Sequence, residues 1–218
     1  MPDLDQGMVD AKQVKVVVVD TLKNWEIKDG IAFLRCVGVK AADKVLDFGC
    51  RVGHYSIPAA FAVGNTGRVY AVDKLQQPLN RLKEKANRLG LKNIETIKTS
   101  GQIDLALVDR VLDVILLYDV LHYMGHSERK RLYGECLRIL DNDGLLSVYP
   151  KHTIEDGASK EFRGVSVADV IHEIEKSGFH FLRRYCDVLS HDDDLNQGCV
   201  LNFAKKVRRT CKRLRSPE

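Results

Sequence analysis

The chain of 218 residues is 44% hydrophobic, 29% charged and 7% aromatic, which fits about one globular domain with a sizeable core and excludes collagen-like and wholly disordered chains. Its cleanest apolar run, Val114-Ile115-Leu116-Leu117, is far short of the ~20 residues of a membrane span. The formal charge of +4 belongs to the C-terminus: residues 205–218 carry seven basic side chains and one acid, a local +6 that leaves −2 for the rest and argues against a nucleic-acid-binding body.

The N-terminus, MPDLDQGMVDAK, carries acids and lacks the basic-then-apolar pattern of a signal peptide, so a cytoplasmic location is expected. Cysteines 36, 50, 136, 186, 199 and 211 stand singly with no CxxC pair, and free thiols are the expectation.

In chain order, the first 40 residues read as helices covering a sheet, from Leu22, Trp25, Ile31, Leu34 and Val37, although the four valines 16–19 favour a strand by propensity. Strands are predicted at 44–48, 68–72, 94–97, 112–118 and 145–149. The fourth is apolar enough to be buried on both faces. Helices alternate with them at 54–62, 76–89 and 128–140. The second carries Pro78 near its start and is stopped by Gly90. Ser166 to Asp169 forms a capping box for a helix that runs to Ser177. Two last strands, 179–186 and 199–205, flank an acidic turn at His191-Asp192-Asp193-Asp194. This alternation predicts an α/β fold built on a mainly parallel sheet.

The run Val45-Leu46-Asp47-Phe48-Gly49-Cys50-Arg51-Val52-Gly53-His54 places an acid before a glycine turn that links a strand to a helix. Such a turn brings bare backbone and a helix N-terminus against a ligand. A dinucleotide fingerprint would need glycines at 49, 51 and 54; Arg51 and His54 stand in two of those places, so a nicotinamide-dependent oxidoreductase fits poorly. Asp73 ends the second strand, where a carboxylate can accept both hydroxyl hydrogens of a ribose. Alone, Asp47 could simply cap the loop; paired with Asp73, 26 residues on, it points to a nucleoside-bearing cofactor.

The successive segments VLDFGCRVGHYSIPAA, VYAVDK, LDVILLYDVLHYM and ILDNDGLLSVYPKH resemble the motifs of class I S-adenosylmethionine-dependent methyltransferases, in flavour the small-molecule type that includes ubiquinone and menaquinone biosynthesis enzymes. The resemblance covers about residues 30–205. It implies a Rossmann-like seven-stranded sheet, mostly parallel with the last strand antiparallel, helices on both faces, and a cleft at the carboxyl ends of the strands. On this likeness residues 41–205 form the methyltransferase domain, 1–40 a helical cap or lid, and 206–218 a basic tail.

The resemblance also implies roles by position. Asp47, Gly49 and Gly53 line the methionine part of S-adenosylmethionine, Asp73 holds the ribose with Lys74 beside the adenine, Gly101 and Gln102 meet the adenine after strand three, and Tyr118 passes near the cofactor's amino acid part. Two positions depart from the pattern. Arg51 replaces the usual middle glycine, so its backbone could carry roughly 1–3 kcal/mol of strain. Its side chain could crowd the cofactor, swing outward or pair with the cofactor's carboxylate. Ser100-Gly101-Gln102 replaces the usual acid after strand three, and Gln102 could serve through its amide.

Methyl transfer from a sulfonium needs alignment and exclusion of water, and a base only where the acceptor must lose a proton. Candidate bases are Asp119, His122, Tyr123, Tyr149 and His152, with His122 preferred because imidazole titrates near neutrality. No metal is expected: His122 and His126 are four apart, but no zinc pattern accompanies them and Gly125 weakens a helix there. The run Tyr118-Asp119-Val120-Leu121 lacks the Asn/Asp-Pro-Pro-aromatic signature of nucleic-acid amino-methylating enzymes, so a small-molecule acceptor is favoured. The alternatives are an RNA-directed enzyme using the basic tail and a non-catalytic binding module weakened by Arg51. Segment 152–165, with Gly157, Gly164 and little apolar character, reads as a mobile loop over the site.

Overall fold

The computed structural model describes residues 21–101, 103 and 105–206, so the four valines at 16–19, Gln102 and nearly all of the basic tail lie outside the described residues. A π-helical segment, Trp25–Asp29, runs directly into α1 (Gly30–Val37). There follow β1 (Lys44–Phe48), α2 (Ser56–Val63), β2 (Arg68–Asp73), α3 (Gln76–Arg88), β3 (Ile94–Lys98), β4 (Leu112–Tyr118), a 3-10 turn (Leu121–Tyr123) and α4 (His126–Ile139). The chain ends through β5 (Leu140–Tyr149), α5 (Val167–Lys176), β6 (Phe179–His191) and β7 (Asp194–Lys205).

The seven strands form one sheet in the order β3-β2-β1-β4-β5-β7-β6. β1 to β5 are parallel, and β7 runs antiparallel to both β5 and β6. From β3 the chain crosses back over β2 and β1 to lay β4 beside β1. The order of the sheet therefore reverses between β1 and β4, and their carboxyl ends open the crevice in which such sheets take ligands.

Alternation in β4 shows why the sheet needs cover on both sides. Ile115 and Leu117 pack with Leu132, Tyr133, Cys136 and Ile139 of α4 and with Val170 and Ile174 of α5. Val114, Leu116 and Tyr118 pack on the other face with Trp25, Phe33 and Leu34 and with Ala59, Ala60 and Val63 of α2. Leu79, Leu82 and Ala86, three and four apart on α3, close a third cluster over Ala71 and Ile57. The capping box forms as read: Ser166 Oγ accepts the Asp169 N–H at 3.1 Å, and Asp169 Oδ2 accepts the Ser166 N–H at 2.9 Å.

Three sequence expectations need correction. The last two strands do not stop at 186 and restart at 199; they continue as a long hairpin with a two-residue turn at Asp192 and Asp193. The polar residues in between read as loop, but antiparallel pairing satisfies their backbone whatever their side chains. That continuation sets Cys186 directly opposite Cys199, and the two form a disulfide, so they are not free thiols. Cys36, Cys50 and Cys136 are free. Segment 152–165 is anchored: Phe162 is fully buried beneath the Arg129 guanidinium, and the Ile154 N–H donates to the Val165 carbonyl at 3.0 Å. One aromatic outweighs the segment's polar composition.

Candidate active site

β1 delivers the glycine turn to the crevice. The N–H groups of Gly49 and Cys50 both donate to the Val72 carbonyl, at 2.8 and 3.0 Å, which folds the turn over the end of β2. Gly49 (φ 81°), Arg51 (φ 45°) and Gly53 (φ 88°) all lie in the left-handed region. A Cβ on Gly53 would stand 2.3 Å from Leu82 Cδ1, and one on Gly49 2.8 Å from Val120 Cγ2. Both glycines are thus required by packing as well as by the turn. Cys50 is buried, and burial together with Asp47 and Asp73 pushes its thiol far up, so it is no nucleophile.

Asp73 is buried at the end of β2 and organises the turn. Its Oδ2 accepts the Arg51 N–H at 2.9 Å and its Oδ1 the Leu75 N–H at 2.8 Å. A carboxylate has about four lone-pair sites, so two backbone bonds leave capacity for a ligand diol. The Arg51 side chain leaves the turn altogether: its guanidinium donates to Asp192 Oδ1 at 2.8 Å, in an exposed ion pair with the tip of the β6–β7 hairpin. Of the three fates open to that side chain, this is the outward swing.

Asp47 faces inward. Ser56 Oγ donates to its Oδ2 at 2.5 Å, tying β1 to the start of α2. Burial pushes its carboxyl up to about 6; Ser56 opposes the shift and Asp73 adds to it. Tyr118 is also committed to the core, its ring edge-on to Tyr55 and its hydroxyl 2.8 Å from Ser147 Oγ. Lys74 is exposed beside Asp73, and Leu75, half exposed, offers apolar surface next to it. Gly101 is exposed at φ 90°, its N–H held by Thr99 Oγ1 at 3.2 Å.

The hairpin tip reaches across the crevice. The Tyr55 hydroxyl donates to the Ser190 carbonyl at 2.7 Å, His54 Nε2 lies 3.4 Å from Asp193 Oδ1, and His191 Nδ1 lies 2.5 Å from Asp119 Oδ2. Beyond β4 and β5 these contacts bring together Asp119, His122, His152 and His191. The His122 and His152 rings are 4.4 Å apart, and those of His152 and His191 5.1 Å. His122 is only 5% exposed, yet its Nδ1 has no hydrogen-bond partner, and neither has Asp119 Oδ1, which lies 3.4 Å away. Burial lowers the His122 pKa to about 4, and His152 and His191 push it further the same way. Burial raises the Asp119 carboxyl, against the pull of His191. Tyr123 is largely exposed against the His122 ring, while Tyr149 is buried with its hydroxyl unpartnered. His126 turns away to Glu173 at 3.0 Å and joins none of this.

Sequence reasoning had His122, His152 and Asp119 but missed His191. The usable signal was positional: a histidine follows β4, another follows β5 and a third closes β6, all at the same edge of the sheet.

Residues 45–144 match a family model described as a methyltransferase domain. A probable cobalt-precorrin-6B C(15)-methyltransferase (decarboxylating) of Saccharolobus solfataricus is 38% identical over 112 residues, 50% of this chain and 53% of that protein. A 23S rRNA (uracil(1939)-C(5))-methyltransferase of Acinetobacter baylyi is 28% identical over 109 residues, 45% of this chain and 24% of that one. The chain therefore spans about half of the first relative and a quarter of the second. Over the whole fold, a SAM-dependent methyltransferase from Aquifex aeolicus superposes with a TM-score of 0.69 at 25% identity, covering 90% of this chain and 99% of that one. S-adenosylmethionine is the cofactor of this group, and the crevice suits it: a buried carboxylate with lone pairs to spare, bare glycine backbone and apolar Leu75, with the arginine directed elsewhere. Strand order, crevice, the methyltransferase-domain match over residues 45–144 and the likeness to the Aquifex structure together support a class I S-adenosylmethionine-dependent methyltransferase.

Proposed function

We propose that the chain transfers a methyl group from S-adenosylmethionine to a small molecule held between the glycine turn and the histidines beyond β4 and β5. The observation that carries the reading is Asp73, buried at the end of β2 and fixed beneath the turn, with the Arg51 side chain led away from it. When bound, the cofactor supplies a methyl group already activated on a sulfonium. Asp73 would accept the ribose hydroxyls, Leu75 and Lys74 flank the adenine, Gly101 approaches it from after β3, and Gly49 and Gly53 give the backbone path along the methionine part. Asp47 and Tyr118 shape that path from behind, through Ser56 and Ser147. Residues 41–205 form the catalytic domain, and the helical segment before them caps it.

On the acceptor side the hairpin tip and segment 152–165 wall the crevice; Ser159 Oγ donates to the His122 carbonyl at 3.2 Å. Such walls suit a small acceptor better than a polynucleotide, and one relative is named for cobalt-precorrin-6B. His122 is the acceptor-side catalytic group. Its imidazole is uncharged at neutral pH with one buried nitrogen free, but a pKa of about 4 makes it a poor proton acceptor on its own.

The test combines binding with transfer. Titration calorimetry with S-adenosylhomocysteine should show one site per chain, weakened at least about tenfold, or 1.4 kcal/mol, in Asp73→Ala. Labelled methyl from the donor should then appear on a member of a panel of phenols, enols and tetrapyrroles. Unchanged affinity in the variant would remove the Asp73 assignment, and label on total RNA alone would overturn the small-molecule part.

A further inference from the structure

We propose that Asp119, His122 and His152 form a site for one divalent first-row transition metal, zinc or iron(II) in character, with an open position facing the acceptor. This rests on the methyltransferase reading and deepens it: it names what would hold an oxygen of the acceptor at that site.

The argument starts from donor atoms. One ligand atom from each of the three residues lies within 4.8 Å of the other two, in a set of two imidazoles and one carboxylate. Such a nitrogen-rich set suits zinc and iron rather than magnesium or calcium. At bond lengths of about 2.0–2.2 Å, two ligand atoms of a tetrahedral centre stand about 3.4 Å apart. Asp119 Oδ1 and His122 Nδ1 already stand at 3.4 Å. The His152 nitrogen has to draw in by no more than about 1.5 Å, within reach of side-chain rotation.

Two observations say that this is more than proximity. Asp119 Oδ1 and His122 Nδ1 are both buried, face each other, and have no hydrogen-bond partner. Buried polar atoms are rarely left unsatisfied, and a shared cation would satisfy both. Around them the scaffold is set for aim: Asp119 (φ 55°) and His152 (φ 58°) both hold left-handed backbone, rare for residues with a Cβ. The other carboxylate oxygen of Asp119 is engaged at 2.5 Å by His191 Nδ1, the kind of outer contact that orients a metal ligand. His191 is thus a positioning residue, brought by the hairpin tip. Three protein ligands leave a fourth position for water or an oxygen of the acceptor, as in catalytic rather than structural metal sites.

The experiment loads the purified chain, stripped with EDTA, with Co2+ and then competes with Zn2+. One equivalent of cobalt per chain should bind with visible ligand-field absorption of a four- or five-coordinate centre, and zinc should displace it. His122→Ala and His152→Ala should each weaken cobalt binding at least about 100-fold, and His191→Ala by about 10–100-fold, the range for outer partners. His126→Ala should leave it unchanged. Circular dichroism screens each variant for folding, and His152→Gln replaces any that fails. Absence of stoichiometric cobalt binding, or a band that survives both ligand substitutions, overturns the proposal. Binding of S-adenosylhomocysteine to the metal-free wild-type chain, measured in parallel, separates that result from failure of the methyltransferase reading: intact binding without cobalt rejects the metal alone.

Discussion

Arg51→Gly puts the departure from the family's glycine turn to a direct test. At φ 45° the arginine holds left-handed backbone, which costs an L-residue about 1–2 kcal/mol and a glycine almost nothing. Against that gain stand two losses: glycine loosens the unfolded chain by about 0.4–1 kcal/mol, and the exposed Arg51–Asp192 ion pair contributes about 0.2–1 kcal/mol. These nearly cancel, so urea unfolding should find the variant within about 1 kcal/mol of wild type. Cofactor affinity follows from where the side chain lies. Because the guanidinium sits on Asp192 and not in the crevice, removing it should change the dissociation constant of S-adenosylhomocysteine by no more than about fivefold, the most that an exposed pair worth 1 kcal/mol can move. The assay is calorimetry on both proteins. A wild-type chain that binds nothing, with tight binding appearing only in Arg51→Gly, would refute the reasoning and identify a module disabled by its arginine.

Other consequences follow from the same contacts. The Cys186–Cys199 bridge closes 13 residues, worth up to about 3 kcal/mol in chain entropy, so dithiothreitol or Cys186→Ser should lower the melting temperature by up to roughly 10 °C; an unchanged melting curve would mean the bridge does not form in solution. Asp47 has a folded-state pKa of about 6 against an ordinary 3.8, so the native state binds the extra proton and stability should fall as pH rises from about 4 to 6, by about 3 kcal/mol in all. The titratable groups around it are Asp73, His54, Cys50, Tyr55 and Tyr118, all retained in Asp47→Asn; that variant should lose this part of the slope in urea titrations, and an identical profile would contradict the assignment. Gly53→Ala drives a Cβ to within 2.3 Å of Leu82 at φ 88° and should cost about 2–4 kcal/mol by urea unfolding; a loss under 0.5 kcal/mol would show that the turn relaxes freely.

The parts of this molecule written in local periodicity were legible beforehand. β4 is buried on both faces, as its run of apolar residues required, and α3 lays Leu79, Leu82 and Ala86 on the sheet at helical spacing. The helix after the glycine turn was legible only in outline: it starts at Ser56 rather than His54, and seven of its eight residues are buried rather than one side of it. Asp73 could be placed because a strand-end acid needs only the strand to be located. The hairpin could not, since residues 187–198 are mostly polar and their pairing is a backbone property without side-chain periodicity. With the hairpin went the disulfide, the partner of Arg51 and the contribution of His191, all of which depend on where its tip lands. Asp47 shows a different limit: the residue type suggested a ligand contact, while its hydrogen bond to Ser56 shows a carboxylate that braces the turn from within.

The claim on which the rest depends is that the glycine turn and Asp73 hold the cofactor. A crystal structure of the chain with S-adenosylhomocysteine tests it most directly. The account predicts both ribose hydroxyls on the Asp73 carboxylate, the methionine part along residues 49–53, and the Arg51 guanidinium still directed toward Asp192. Density for the ligand elsewhere, or the arginine folded into the turn in its place, would contradict it.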